Sequence, residues 1–99
     1  MRSIRFDPLA ETDLIEIADY YDNLRDGLGR EFLREFTGAM ERIVRRPESY
    51  RLLERPFHFC GLRRFKYNVI YRLDPEQILV LMIVHQMRHP DTWKKRRNR

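Results

Sequence analysis

Apolar positions in the first half of the chain recur at helical spacing in two stretches. The opening "SIRFDP" predicts a short strand that ends where a helix begins, since Asp7 suits an N-cap and Pro8 a first helical position. A first apolar stripe follows, consisting of Ala10, Leu14, Ile17, Tyr21 and Leu24. A second stripe comes after the helix-breaking "DGLG" and consists of Phe32, Phe36, Met40 and Ile43. Matching stripes with a short joint predict an antiparallel helix hairpin.

The second half changes to a period of two. Apolar and polar residues alternate over residues 66–73, with Tyr67, Val69, Tyr71 and Leu73 on the apolar face. This alternation predicts a strand with one covered face. Residues 78–84 are apolar throughout and predict a central strand, and "FHFCGLRRF" predicts a third. The order β-α-α-β-β-β, with both helices on one face of a mainly antiparallel sheet, predicts a single α+β domain over residues 1–99.

The positive charge of the chain is concentrated at its end. Residues 1–87 carry 14 Arg/Lys and 14 Asp/Glu, so the formal net charge of +5 comes from residues 88–99. Residues 42–72 are also rich in arginine, whereas residues 1–41 are rich in acids. Such asymmetry favours an anionic partner, although a basic terminus also occurs as a plain solvated end.

The C-terminal segment after the central strand is predicted to project from the core as a basic tail, residues 88–99. Trp and Arg are the residue types enriched where binding energy is concentrated. We therefore expect this tail to bind the target, and to be dispensable for folding. The alternative is that Trp93 folds back onto the sheet. The candidate target-binding residues are Arg88, Trp93, Lys94, Lys95, Arg96 and Arg97.

Several classes of function are disfavoured by the sequence. Cys60 is the only cysteine and lies in a Phe-rich strand, which favours a buried, unreactive thiol in a reducing cytoplasm. No apolar run is long enough for a membrane span, and no secretory signal precedes the first helix. His85 and His89 are four apart, but not on a helix, so we expect no metal site. We expect no cofactor either.

Five stretches in this order resemble the RelE/ParE superfamily, the toxin half of bacterial type II toxin–antitoxin modules. They are "DPLAETDLIEIADYY" (7–21), "GLGREFLREF" (27–36), "RRPESY" (45–50), "LRRFKYNVIYRL" (62–73) and "VHQMRHPDTWKKR" (84–96). The last two stretches resemble the ParE branch most closely. The resemblance implies the same α+β fold. It also implies an antitoxin partner, ParD-like, whose C-terminal segment wraps the toxin.

The two branches of the superfamily act on different targets. The ParE branch is best known for poisoning DNA gyrase by binding, and the RelE branch cuts messenger RNA on the ribosome. Because both branches share one fold, only the residues of the functional site can distinguish them. RNA cleavage needs a base, an acid and cations around one phosphate. The candidates for that chemistry are Arg64, Lys66, Arg72, His85 and Arg88. Each also has a plainer interpretation, as the solvated face of a sheet or a histidine bonded to backbone.

No acidic residue lies within the basic hairpin, since Glu54 and Asp74 only flank it. We therefore expect a cytoplasmic ParE-like toxin that binds gyrase without catalysis and arrests growth, as in plasmid stabilisation. A ribosome-dependent endoribonuclease is the alternative. A non-toxic family member that only binds an antitoxin is a second alternative.

Overall fold

The computed structural model describes residues 2–88 and 91–98. The chain begins with β1 (Ser3–Phe6) and the helices α1 (Pro8–Leu24) and α2 (Leu28–Arg45). Four strands follow, β2 (Arg51–Glu54), β3 (Phe57–Gly61), β4 (Tyr67–Leu73) and β5 (Gln77–His85), and then a short helix α3 (Thr92–Arg97). The described strands form a sheet in the order β1-β5-β4-β3-β2, in which only the β1–β5 pairing is parallel. The predicted α+β class is confirmed, and the predicted elements occur in the expected order, with β2 and α3 in addition.

The helix hairpin begins and turns where the sequence predicts. The Asp7 carboxylate accepts a hydrogen bond from the Leu9 N–H at 2.8 Å and caps α1, with Pro8 in its first position. At the joint Gly27 has a φ of +86°, which glycine adopts at no steric cost. An added Cβ at Gly29 would lie 2.3 Å from the Ala18 carbonyl oxygen, so the two helices meet closely here. The Gly29 N–H donates to the Asp22 carboxylate at 2.8 Å.

Two apolar cores lie on opposite faces of the sheet. The helix face, covered by α1 and α2, carries the larger one, which includes Phe32, Phe36 and Tyr71. The outer face, turned away from the hairpin, carries a smaller core of Phe57, Ile70, Leu81 and Trp93. The strand between the cores therefore needs apolar residues on both sides, as the sequence predicts for residues 78–84.

A β-bulge in β5 shifts which residues face each core. Ile70 pairs with Met82 but Tyr71 pairs with Val80, so Leu81 has no partner on β4. An extra residue of this kind reverses the alternation of the strand beyond it. Val80 and Ile83 consequently both face the helices although they are three apart, and Leu81 enters the outer core.

Three details differ from the sequence-based prediction. The third strand stops at Gly61, and residues 62–66 form the connection to β4. The edge strand β2 was not predicted, because its sequence "RLLE" has no alternation and all four residues are exposed. The C-terminal segment does not project as a tail: residues 92–97 form α3, which packs on the outer face of the sheet. Helices thus lie on both faces, and the outer one decides the geometry of the site.

Candidate functional site

Trp93 holds α3 on the sheet. Its side chain is 5% exposed, and its ring centroid lies 5.0 Å from that of Phe57. The prediction that the segment projects from a finished core is therefore wrong. The physical reason is that Phe57, Ile70 and Leu81 form an apolar surface on the outer face, which the hairpin cannot reach. Burying Trp93 against that surface removes apolar area from water on both sides.

Arg96 points inward and forms an ion pair with Asp13 of α1. The two side chains are only 14% and 15% exposed. The Asp13 carboxylate also accepts a hydrogen bond from the Ile83 N–H at 3.0 Å, and Arg96 donates to the Leu81 carbonyl at 3.3 Å. Strand β1 pairs with β5 only as far as Val80. The ion pair therefore bonds backbone groups of β5 beyond the end of β1, and it joins α1, β5 and α3.

The other basic side chains of α3 differ in their ion-pair partners and in their exposure to solvent. Arg97 pairs with Glu54 of β2 and lies 5.1 Å from the centre of the Trp93 ring. Lys94 pairs with Asp91 at 3.2 Å in an exposed contact. Lys95 is exposed and has no ion pair among the described residues. Of the predicted target-binding residues on α3, Trp93 and Arg96 are thus turned into the protein, and Lys94 and Lys95 face solvent.

The five candidates for RNA cleavage are not assembled at one place. Arg64 pairs with Glu31 of α2 at 2.7 Å, and this contact lowers the pKa of the Glu31 carboxyl. Arg72 pairs with Asp74 at 2.9 Å. Arg72 is level with Leu79 on β5, whereas His85 is level with Tyr67, so about five residues of strand, roughly 17 Å, separate them. Lys66 lies exposed in the turn before β4.

His85 and Arg88 do lie together, in a cleft of about 500 Å³ at the end of β5. Acidic side chains of α1, Asp13 and Glu16, line its other wall. The His85 Nδ1 accepts a hydrogen bond from the Met87 N–H at 3.0 Å, which places the proton of the neutral ring on Nε2. This contact matches the plainer interpretation of His85, a histidine bonded to backbone.

Tyr67 completes the wall of this first cleft, with its ring centroid 5.1 Å from that of His85. Burial raises the pKa of the Tyr67 phenol, nearby Tyr20 raises it further, and Arg88 lowers it in part. A phenol with a raised pKa stays protonated at neutral pH. It is therefore a hydrogen-bond donor there and a poor base.

A second cleft of about 340 Å³ lies on the outer face between the sheet and α3. Its lining is mainly apolar, with side chains that include Phe59, Ile70 and Trp93, and it also carries Arg51 and Arg88. The Arg51 guanidinium lies 5.9 Å from the centre of the Phe59 ring. His85 and Arg88 line both clefts, so they form the ridge that separates them. A mainly apolar cleft lined by two arginines suits ligands that are both apolar and anionic.

Sequence reasoning missed Asp13, Glu16 and Arg51 as neighbours of the site. The two acids lie on α1, and Arg51 lies in the strand that was not predicted. The packing of α1 on β5 brings the two acids to His85 and Arg88, and the pairing of β2 through β3 and β4 brings Arg51 there. No local pattern in the sequence marks them.

Residues 2–88 and 91–98 contain neither a metal-binding cluster nor a membrane-spanning helix. This part of the chain contains no group of three or more His, Cys, Asp or Glu side chains that would hold a metal ion. His89 of the His85/His89 pair lies outside the described residues. No described helix is long and apolar enough to cross a bilayer. Cys60 is buried, and burial raises the pKa of its thiol, as expected for an unreactive cysteine.

Comparisons with known proteins agree on one family. The family described as ParE toxin of the type II toxin–antitoxin system parDE matches residues 4–90. Toxin ParE2 of Mycobacterium tuberculosis, in strains CDC 1551 and H37Rv, is 31% identical over 91 residues, which are 91% of this chain and 87% of the relative. The fold also matches a solved chain titled "Chromosomal ParDE TA system from P. aeruginosa". The TM-score is 0.75 at 19% identity, over 86% of this chain and 96% of the other. The family match covers most of the residues that build both clefts, and the chain therefore belongs to the ParE toxin family of type II toxin–antitoxin systems.

Proposed function

We propose that this ParE-family toxin acts by binding DNA gyrase, and that it does not cleave RNA. The observation that carries the proposal is the dispersal of the cleavage candidates. A single phosphate in an in-line attack needs its base, acid and cations within hydrogen-bond reach of one another. Here Arg64 and Arg72 are held by carboxylates elsewhere in the fold, and only His85 and Arg88 share a cleft.

The ridge at Arg88 and the solvent side of α3 are the surface we propose for the target. Lys94 and Lys95 lie on that side, and Arg51 and Arg88 line the apolar cleft beside it. Clustered positive charge accelerates association with an acidic or DNA-bearing partner, and an apolar cleft gives an anchor residue a place to bind. Gyrase bound to DNA presents both kinds of surface. Because gyrase acts on DNA in the cytoplasm, the cytoplasm is the proposed compartment of the toxin.

The decisive experiment compares two activities of the purified chain. We expect inhibition of gyrase-catalysed DNA supercoiling and no cleavage of messenger RNA on translating ribosomes. The variant Arg88→Ala, which changes the ridge, should weaken inhibition, and Arg34→Ala, an exposed α2 residue outside both clefts, is the matched control. Ribosome-dependent cleavage without any effect on gyrase would replace this proposal by the endoribonuclease alternative. A folded chain with neither activity would indicate the non-toxic alternative.

We propose an antitoxin as the second partner. Four large apolar side chains of α1 are exposed, Leu9, Ile15, Tyr20 and Leu24. Leu and Phe anchors of an amphipathic antitoxin segment would cover such residues, and its acids would face the arginines that follow α2. Co-expression with the antitoxin should relieve growth arrest and raise the yield of soluble toxin. Yield and growth that do not change with the antitoxin would count against this partner.

A further inference from the structure

A shallow groove of about 620 Å³ runs between the outer edge of β1 and one flank of α2, far from His85 and Arg88. β1 is the end strand of the sheet, so one side of its backbone has no neighbouring strand among the described residues. Open edges of this kind pair readily with another strand. The groove wall is apolar, with Ile4 on the strand and Met40 and Val44 on the helix.

The α2 side of the groove has the spacing of a helix-packing stripe. The lining residues Thr37, Met40, Glu41, Val44 and Arg45 recur at intervals of three, one, three and one along α2. This is the pattern by which one helix packs against another. The face of α2 that carries Phe32, Phe36 and Ile43 already serves the core of the chain. Met40, only 7% exposed, and Val44 also pack against this core, so the groove stripe borders the core face and adds Thr37, Glu41 and Arg45 beside it.

The charges on the stripe are self-complementary. Glu41 and Arg45 are one helical turn apart and exposed, and no ion pair or side-chain hydrogen bond engages either within the described part of the chain. An interface with two-fold symmetry brings the same patch of both copies together, so each acid needs a base at the symmetric position. Antiparallel α2 helices crossing near Arg42 and Ile43 meet this requirement. They place Glu41 opposite Arg45 of the partner subunit.

We propose that the groove binds a second copy of this chain, which makes the toxin a two-fold dimer. The same axis brings the α2 stripes of the two copies together and sets the two β1 edges side by side in antiparallel orientation. The sheet then continues from one subunit to the next, and Ile4 is covered from both sides. This surface is separate from the ridge at Arg88, so the inference does not depend on the target of the toxin.

Charge reversal at the two groove positions tests the dimer. The wild-type chain should sediment with twice the mass of one chain in analytical ultracentrifugation. The dimer contains the contact between positions 41 and 45 twice, and Glu41→Arg or Arg45→Glu puts like charges in both copies of it. Each variant should therefore raise the dimer dissociation constant at least about tenfold. An equimolar mixture of the two variants restores both attractive pairs, so it should form dimers, as should the double variant E41R/R45E.

Arg34→Glu makes the same charge change on an exposed part of α2 outside the groove and should leave the dimer intact. Circular dichroism of each variant separates loss of the dimer from loss of the fold. A wild-type chain that is monomeric over the whole concentration range would overturn the proposal. So would a dimer that both single reversals leave unchanged, because its interface would then lie elsewhere.

Discussion

Trp93 contributes the largest side chain to the core on the outer face of the sheet. It is packed against Phe57 and carries the Arg97 guanidinium on its ring. Trp93 is the buried apolar residue of α3, so it provides most of the apolar contact between that helix and the sheet. The outer core is small, and the loss of one large member leaves a cavity that the others cannot fill.

Trp93→Ala should therefore lower the free energy of unfolding by about 3 kcal/mol, as large-to-small substitutions in cores do. Lys95→Ala, two residues away and exposed, should change it by less than about 0.5 kcal/mol. Urea denaturation followed by far-ultraviolet circular dichroism measures both. Equal stability of the two variants would show that α3 does not pack in solution.

Tyr71 connects the two halves of the chain through a buried hydrogen bond. Its phenol is 0% exposed and donates to the Pro47 carbonyl at 2.6 Å. Burial, with smaller contributions from Cys60 and Tyr50, raises the pKa of this phenol well above its ordinary value of 10.0. The folded state thus holds the Tyr71 proton at pH values where the unfolded chain has lost it.

The stabilisation from Tyr71 should be fully present below about pH 10 and decline as the pH rises above that value, because the unfolded state then binds fewer protons. Tyr71→Phe removes the titrating group, so the free energy of unfolding of this variant should depend less on pH in the alkaline range. It should also be lower at neutral pH by about 1 kcal/mol for the lost hydrogen bond. Denaturation curves at neutral and alkaline pH measure both effects, and parallel pH profiles would contradict the assignment.

At the scale of elements, the Asp13–Arg96 ion pair explains how α3 is oriented. The contact joins it to α1 and bonds backbone groups of β5 beyond the end of β1. Trp93 fixes where α3 lies, and Arg96 fixes its direction. Both clefts have a wall residue on α3, so its orientation sets their shape. We therefore assign Arg96 a positioning role, while its predicted contact with the target stays a prediction.

A double-mutant cycle with Asp13→Asn and Arg96→Met should detect this connection. Each single substitution leaves a half-buried partner unpaired and should cost on the order of 2 kcal/mol. The two effects should fail to add, with a coupling energy of about 1–2 kcal/mol. Denaturation of the four proteins gives the cycle. Additive effects would mean that the two side chains do not interact, and that α3 is held by Trp93 alone.

At the scale of the whole molecule, charge is separated between surfaces. The acids of α1 face one cleft, and arginines and lysines occupy the ridge, β2 and the solvent side of α3. The excess positive charge that gives the net charge of +5 is therefore concentrated on one surface. Fields of this kind influence the rate of encounter more than the stability of the complex.

Replacing Lys94 and Lys95 together by Ala should slow association with the target several-fold at low salt, and the difference should shrink as salt screens the charges. The free energy of unfolding should change little, since both side chains are at the surface. Arg30→Ala combined with Arg34→Ala removes the same charge from α2 and serves as the control. Surface plasmon resonance at several salt concentrations measures the rates. Equal association rates for the two double variants would place the target elsewhere.

The sequence by itself determined the helix hairpin, the central strand and the ParE-family membership. These depend on local features: apolar spacing along α1 and α2, the turn at Gly27, the alternation over Tyr67–Leu73, and stretches of family motif. Each is set by residues within a few positions of one another, where spacing alone states which side chains share a face.

Tertiary structure decided the position of α3, the separation of Arg72 from His85 and the neighbours of the ridge. The sequence pattern of residues 88–99 fits an exposed tail and a packed helix equally well. The choice depends on whether an apolar surface is left uncovered on the outer face of the sheet. That surface exists because the bulge at Leu81 turns this residue to the outer face beside Phe57 and Ile70, which come from other strands. Burial of Trp93 against residues distant in sequence is thus a property of the assembled sheet, which no local pattern encodes.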